Sequence, residues 1–310
     1  MMQAGRRISL NGAAFGVAAV LLFSSFTLVS RLGLSSSLKV MDLTALRFGV
    51  GGLLLLPVLW RYGLPRLRWH ETLGLALSGG VGFALLAYAG FALAPAAHGA
   101  VLLHGSLPLF TSLIGWIAAS VPMSRSRVVG LSVILVGIVC LLSDTLGANT
   151  TRQWMGDGAL LLASISWSAH GLLSRRAGLA PAHTASLVTV LSMGVFLPIY
   201  LLLPGKALLA APWQELLLQG IFQGVLIAVV SIYIYSKAVA TLGPEDTALF
   251  TAAVPCVTTL AAVFMLGETP TWTAWAGVLM VTAGMAISVT MRPGAPLSSA
   301  TLEPEPADRG

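Results

Sequence analysis

Apolar stretches of about 20 residues recur along this chain, separated by short polar joints. VVGLSVILVGIVCLL at 128–142 shows the character, as does WTAWAGVLMVTAGMAISV from Trp272. Such runs are too long and too apolar for soluble helices, and charge is almost absent from them. The pattern predicts ten helical spans, at 11–31, 42–60, 72–92, 97–119, 128–144, 157–175, 184–203, 214–236, 245–266 and 272–290. At 1.5 Å per residue each crosses roughly 30 Å of hydrocarbon. The connections are short and leave no room for a separate extramembrane domain. The expected fold is an all-α membrane protein of ten transmembrane helices. Residues 292–310, RPGAPLSSATLEPEPADRG, read as a disordered tail, being polar and proline-rich.

Composition agrees with lipid as the solvent. Mean hydropathy is +0.89, with 56% hydrophobic and 9% charged residues, where a soluble domain carries roughly 25% charged residues. The net charge of +6 raises nucleic acid as a partner, but the basic residues are scattered through short loops and serve membrane orientation better. With the N-terminus inside, one side holds Arg6, Arg7, Arg61, Arg66, Arg68, Arg125, Arg127, Arg175, Arg176, Lys237 and Arg292. The other holds only Arg31, Lys39, Arg152 and Lys206. Both termini are therefore expected in the cytoplasm. Cys140 and Cys256 lie inside apolar stretches and read as free buried thiols. The first stretch is long enough to span and does not read as a cleavable signal.

The ten stretches fall into two sets of five. LAPAAHGAVLLHGSLPLFTSLIG from Leu93 matches ATLGPEDTALFTAAVPCVTTLAA from Ala240 at an offset of 147 residues. This places Pro108 on Pro255, Thr111 on Thr258, Gly130 on Gly277 and Gly137 on Gly284. Earlier in each half the offset is 144, with Phe23 on Trp167 and Arg31 on Arg175. Five is odd, so the second set enters the membrane in the opposite sense. The expected organisation is an inverted repeat, 1–146 and 147–291, a common basis of secondary transporters.

At these segments the chain resembles the drug/metabolite transporter superfamily, specifically its ten-span carriers with two EamA-type repeats. The second repeat, AVATLGPEDTALFTAAVPCVTTLAAVFMLGETPTWTAWAGVLMVTAGMAI, carries the resemblance best, with Ala248, Leu249, Pro255, Gly267, Glu268, Gly277 and Gly284 where the family pattern expects them. The first repeat keeps Leu46-Arg47-Phe48, Pro108, Gly130 and Gly137, and departs at the turn, where Val121-Pro122 stands against Glu268. The resemblance spans about residues 10–290. It implies export by alternating access across a bacterial inner membrane. Relatives carry amino acids, aromatic ones among them, and related metabolites.

Polar side chains inside spans are costly and mark candidate transport residues. His98 and His104 in the fourth span point about 120° apart, and either suits donation to a carboxylate or proton binding. Trp167 and His170 in the sixth suit an aromatic or amphipathic solute. Tyr88 and Tyr235, at matching places in the two halves, are expected to clamp a flat solute. Gln219 and Gln223 form an i,i+4 pair open to solute binding or helix joining, with Gln223 taken as a cavity residue. Arg47, in TALRFGVGG, either anchors a carboxylate or pairs with a helix end or with Asp42. Glu245 follows Pro244 and suits capping or coupling. Pro95, Pro108 and Pro255 are candidate helix breaks for gating.

Rival functions find less in the sequence. There is no G-x-x-x-x-G-K-[ST] run and no H-E-x-x-H, and no metal or cofactor is expected. A drug exporter for lipophilic cations favours a buried carboxylate in its cavity, and none stands clearly at mid-depth. The deep polar groups favour a zwitterionic or neutral amphipathic solute, with amino acids as the leading class. Ten helices with an internal pseudo-dyad form a complete carrier, so a functional monomer in the lipid bilayer is expected.

Overall fold

The computed structural model describes residues 10–119, 123–148 and 151–290. Arg6, Arg7, Val121, Pro122, Arg292, Arg309 and the 292–310 tail lie outside the described residues. Those described form helices and no strands: α1 Leu10–Ser35, α2 Val40–Tyr62, α3 Trp69–Leu93, α4 Ala96–Ala118, α5 Arg125–Ala148, α6 Thr151–Ala177, α7 Pro181–Leu202, α8 Trp213–Leu242, α9 Pro244–Met265 and α10 Trp272–Thr290.

Among the described residues nine helices are long and apolar enough to cross a membrane. The exception is α6, whose 27 residues include Arg152, Asp157, Arg175 and Arg176. Hydropathy treats every side chain as lipid-facing, whereas this helix turns Asp157, Ser164 and Ser168 into the protein and leaves Arg152, Arg175 and Arg176 exposed toward its ends. Asp157 Oδ1 lies 2.8 Å from His98 Nδ1, and Ser164 and Ser168 meet Ser106 at 2.8 Å and Thr111 at 3.2 Å on α4. The outer surface is left to apolar groups. Trp60, Trp69, Trp116, Trp154, Trp213 and Trp272 stand exposed near helix ends, where indole rings favour the boundary between lipid and water.

Corresponding helices of the two halves pack on each other: α2 on α7, α4 on α9, and α5 on α10. Hydrophobic transfer gives little drive between helices already in lipid, so close backbone approach does the work. A Cβ at Gly130 would lie 2.7 Å from the Gly284 carbonyl oxygen, and one at Gly284 equally close to that of Gly130. Gly277 and Gly137 meet in the same way, at 2.8 and 3.0 Å. The contacts cross over: Gly130 meets Gly284, while their repeat mates Gly277 and Gly137 meet one another. α5 and α10 therefore run antiparallel with a self-complementary seam.

Several helices are irregular near their middle. α3 breaks at Gly80, between Trp69–Gly79 and Val81–Leu93. The groups freed there find partners on other helices: Val81 N donates to Ser192 Oγ at 3.2 Å and Ser166 Oγ donates to the Ser78 carbonyl at 3.0 Å. This is the condition for tolerating irregular backbone inside a membrane. α4 is π-helical over Gly99–Gly105 and α8 over Gly220–Val230. α9 breaks between Pro244–Thr251 and Val254–Met265. Pro108 and Pro255 sit in the first turn of the resumed helices of α4 and α9, where a missing N–H costs nothing. The two irregular points abut, since a Cβ on Gly105 would lie 3.6 Å from Pro255 Cγ. Pro95 has a different place: it precedes α4 in extended conformation and starts the helix. Pro57 in α2 and Pro198 in α7 are further interior prolines, on helices that pack together.

Candidate functional site

One end of the bundle is tied by polar contacts. Arg31, near the end of α1, forms an ion pair of 2.5 Å with Glu268 in the α9–α10 turn. Its Nη1 donates to the carbonyls of Phe91, at 2.8 Å, and Ala94. Glu268 in turn accepts from Ala96 N at 2.8 Å. One cation thus joins the last carbonyls of α3, the start of α4 and the turn before α10. Such carbonyls lack intrahelical partners and carry the negative end of the helix dipole. The remaining cations expected on this side behave alike. Arg152 reaches Ala92 O at 3.3 Å, Lys206 reaches Leu201 O at 2.5 Å, and Lys39 reaches Gly205 O at 2.6 Å. His98 belongs to this end as well. Both it and Asp157 are buried, and Thr145 Oγ1 donates to the other Asp157 oxygen at 2.6 Å. His98 therefore cross-links α4 and α6 and does not face an open space.

A second polar network lies deeper. Tyr88 Oη donates to Gln223 Oε1 at 2.9 Å. Gln223 Nε2 donates to Ser30 Oγ at 2.9 Å and to Gln219 Oε1 at 3.3 Å, and Gln219 Nε2 donates to Val29 O at 2.8 Å. Tyr88, Ser30, Gln219 and Gln223 are all buried. Their bonds join α1, α3 and α8 at the π-helical stretch of α8. Tyr88 and Tyr235 are not opposed across a shared space: Tyr88 is enclosed, while Tyr235 is 41% exposed with its ring 5.8 Å from Phe23.

Beyond the second network, toward the start of α1, runs a column of rings. Tyr235 neighbours Phe23, Phe23 stacks with His104 at 6.2 Å, and His104 meets Phe26 at 6.4 Å. Phe26 stacks with Phe83 at 6.4 Å, Phe83 meets Trp167 at 4.7 Å, and Trp167 meets His170 at 5.2 Å. The column crosses between the halves and brings together His104, Trp167, His170 and Tyr235, four of the residues singled out in the sequence. Trp167 is 39% exposed. His170 packs over Gly79, and its Nε2 lies 3.3 Å from Ser174 Oγ. The Nδ1 atoms of His104 and His170 are buried without hydrogen-bond partners.

Arg47 enters this column from α2. Seven residues into the helix, it sits roughly 10 Å from the helix start. It is 7% exposed, and its guanidinium carbon lies 5.4 Å from the Phe26 ring centre, 5.7 Å from Phe83 and 5.9 Å from Phe48. It also interacts with the Tyr88 phenol. Asp42 is occupied elsewhere, accepting from Tyr200 Oη at 2.5 Å, Lys39 N at 2.9 Å and Ala207 N at 3.2 Å. Among the described residues no carboxylate pairs with Arg47, and its Nη1 is buried without a partner. Glu245 lies far along the sequence in the first turn of α9, placed to complement that helix N-terminus. An apolar hollow of about 400 Å³ along α8, lined by Trp213, Leu217, Ile221 and Leu226 among others, offers none of these polar groups.

Phe26, Phe83, Asp157 and the Arg31–Glu268 pair were not singled out by the sequence. A phenylalanine inside an apolar span carries no signal of its own. Asp157 stood at an expected span edge, and it lies two turns inside α6 because that helix starts at Thr151.

Interior polar groups, lipid-facing apolar ones and paired halves define a polytopic membrane protein of transporter architecture. The chain belongs to the EamA-like transporter family, matching it twice, over residues 10–143 and 154–290. It is 27% identical over 280 residues to the uncharacterized inner membrane transporter YedA of Escherichia coli K12, covering 88% of each chain, and equally similar to that of Escherichia coli O157:H7. A solved protein crystal structure aligns with a TM-score of 0.62 at 20% identity, over 90% of this chain and 98% of that one, a likeness of fold alone. The protein is a multi-pass inner-membrane protein of a transporter family.

Proposed function

We propose that the protein is a secondary transporter that exports amino acids, aromatic ones included, and related small metabolites by alternating access. In this reading residues 1–146 and 147–291 are inverted five-span repeats, both termini are cytoplasmic, and one chain suffices. The observation that carries it is the crossed glycine seam of α5 and α10, together with the α2–α7 and α4–α9 pairings. A repeat pair related in this way exchanges conformations and exposes one central site to each side in turn. The Arg31–Glu268 tie closes the outer end, and the ring column is the path for an amphipathic solute.

The alternative, proton-coupled export of lipophilic cations, fits less well. A cation needs an anionic or purely aromatic site, and the deep unpaired charge here is the positive Arg47. The test is efflux from preloaded proteoliposomes, with phenylalanine, alanine, threonine and a lipophilic cation compared, with and without a proton gradient. Saturable phenylalanine efflux, slowed by Trp167→Ala, is expected. Movement of the cation alone would overturn the reading.

A further inference from the structure

We infer that Arg47 is the anchor for the carboxylate of the transported solute, and that the site selects apolar monocarboxylates without requiring an ammonium group. This rests on the transport reading above and narrows its substrate class.

The inference starts from an imbalance. A guanidinium moved out of water costs several kcal/mol unless paired. Three phenylalanine faces offset part of that cost. They leave the charge uncompensated, because a ring quadrupole holds a cation without neutralising it. The in-plane N–H groups of arginine need acceptors, and Nη1 has none. Asp42, the nearest acid in sequence, is held by Tyr200, Lys39 and Ala207. A planar carboxylate supplies what is missing: one negative charge and an acceptor for Nη1, in the geometry that favours arginine.

The surroundings determine the rest of the solute. Phe26 and Phe83 present ring faces to the guanidinium, and His104 and Trp167 adjoin those two rings. They suit an apolar or aromatic body attached to the carboxylate. An ammonium would want a carboxylate of its own. Asp157 is committed to His98 and Thr145, and Glu268 to Arg31 and the Ala96 amide. The column thus recognises one end of an amino acid by charge and the other by ring contact. Its amino group gains no ionic partner there.

Equilibrium binding separates this from transport itself. Purified full-length protein is titrated at neutral pH with radiolabelled 3-phenylpropanoate, competed by phenylalanine and by 2-phenylethylamine. The expected result is binding of 3-phenylpropanoate within about threefold of phenylalanine and at least tenfold weaker binding of the amine. Arg47→Met is expected to weaken both carboxylates at least tenfold. Arg47→Lys, which keeps the charge and guards against misfolding, is expected to retain part of the affinity. Equal binding of the amine, tight phenylalanine binding with loss of 3-phenylpropanoate, or no binding of any probe would each overturn the inference. Efflux that fails while carboxylate binding holds would count against the transport reading and leave the anchor standing.

Discussion

At the scale of single residues, the division is between polar groups whose bonds are made and those whose bonds are not. Tyr88, Gln219 and Gln223 belong to the first kind, since each hydrogen-bonds within the helices it joins. Tyr88→Phe leaves Gln223 Oε1 without its donor, a loss of about 1 kcal/mol at the lower range seen for membrane proteins. A modest fall in the thermal midpoint in detergent is expected. An affinity loss with no stability loss would place Tyr88 in the solute path instead. Arg47 stands between the two, meeting the Tyr88 phenol while its Nη1 is left without a partner. The presence of a deep arginine was legible in the sequence, but its direction was not. Apart from Asp42 and Thr44 the neighbours of Arg47 in α2 are apolar, and the spacing did not show whether Asp42 or the phenylalanines would meet it.

At the scale of helices, span positions were readable because length and hydropathy are set by bilayer thickness, which acts on every segment alike. α6, read from the sequence as a span at 157–175, is less apolar than the other nine because its Asp157, Ser164 and Ser168 face α4 and α5. Repeat-related glycines were readable too, but which of them touch depends on the crossing of α5 and α10, a property of two helices together. Gly284→Ala forces a Cβ to 2.7 Å from the Gly130 carbonyl oxygen and 2.8 Å from Ile134. This contact is with backbone, which cannot step aside, so a loss of several degrees in thermal midpoint is expected. Gly194→Ala on α7 meets nothing within 4 Å and is expected to be neutral or to gain up to about 1 kcal/mol in helix propensity. Equal behaviour of the two variants in the same melting experiment would refute the close seam.

At the scale of the whole molecule, Arg31 and Glu268 hold α1, α3, α4 and the α9–α10 turn in one cluster. Glu268→Gln removes the ion pair and is expected to loosen that end. With Cys140 and Cys256 replaced by serine, a cysteine placed at the buried Thr27 is expected to react several-fold faster with an external thiol reagent in the Glu268→Gln background. An unchanged rate would mean that the end stays shut without the pair. The sequence marked Glu268 through the family turn and Arg31 only as an exception to charge bias. Their meeting required the two halves to be brought together. The four exceptions share a feature that the biased count did not predict: each donates to a backbone carbonyl, and Arg31 is also paired with Glu268. In the proposed orientation, with the termini inside, the two mouths differ in their number of cations, with Arg31, Lys39, Arg152 and Lys206 outside against the more numerous arginines inside. The inner mouth is then expected to gather anions from the cytoplasm, an attraction that added salt would weaken as the Debye length shortens.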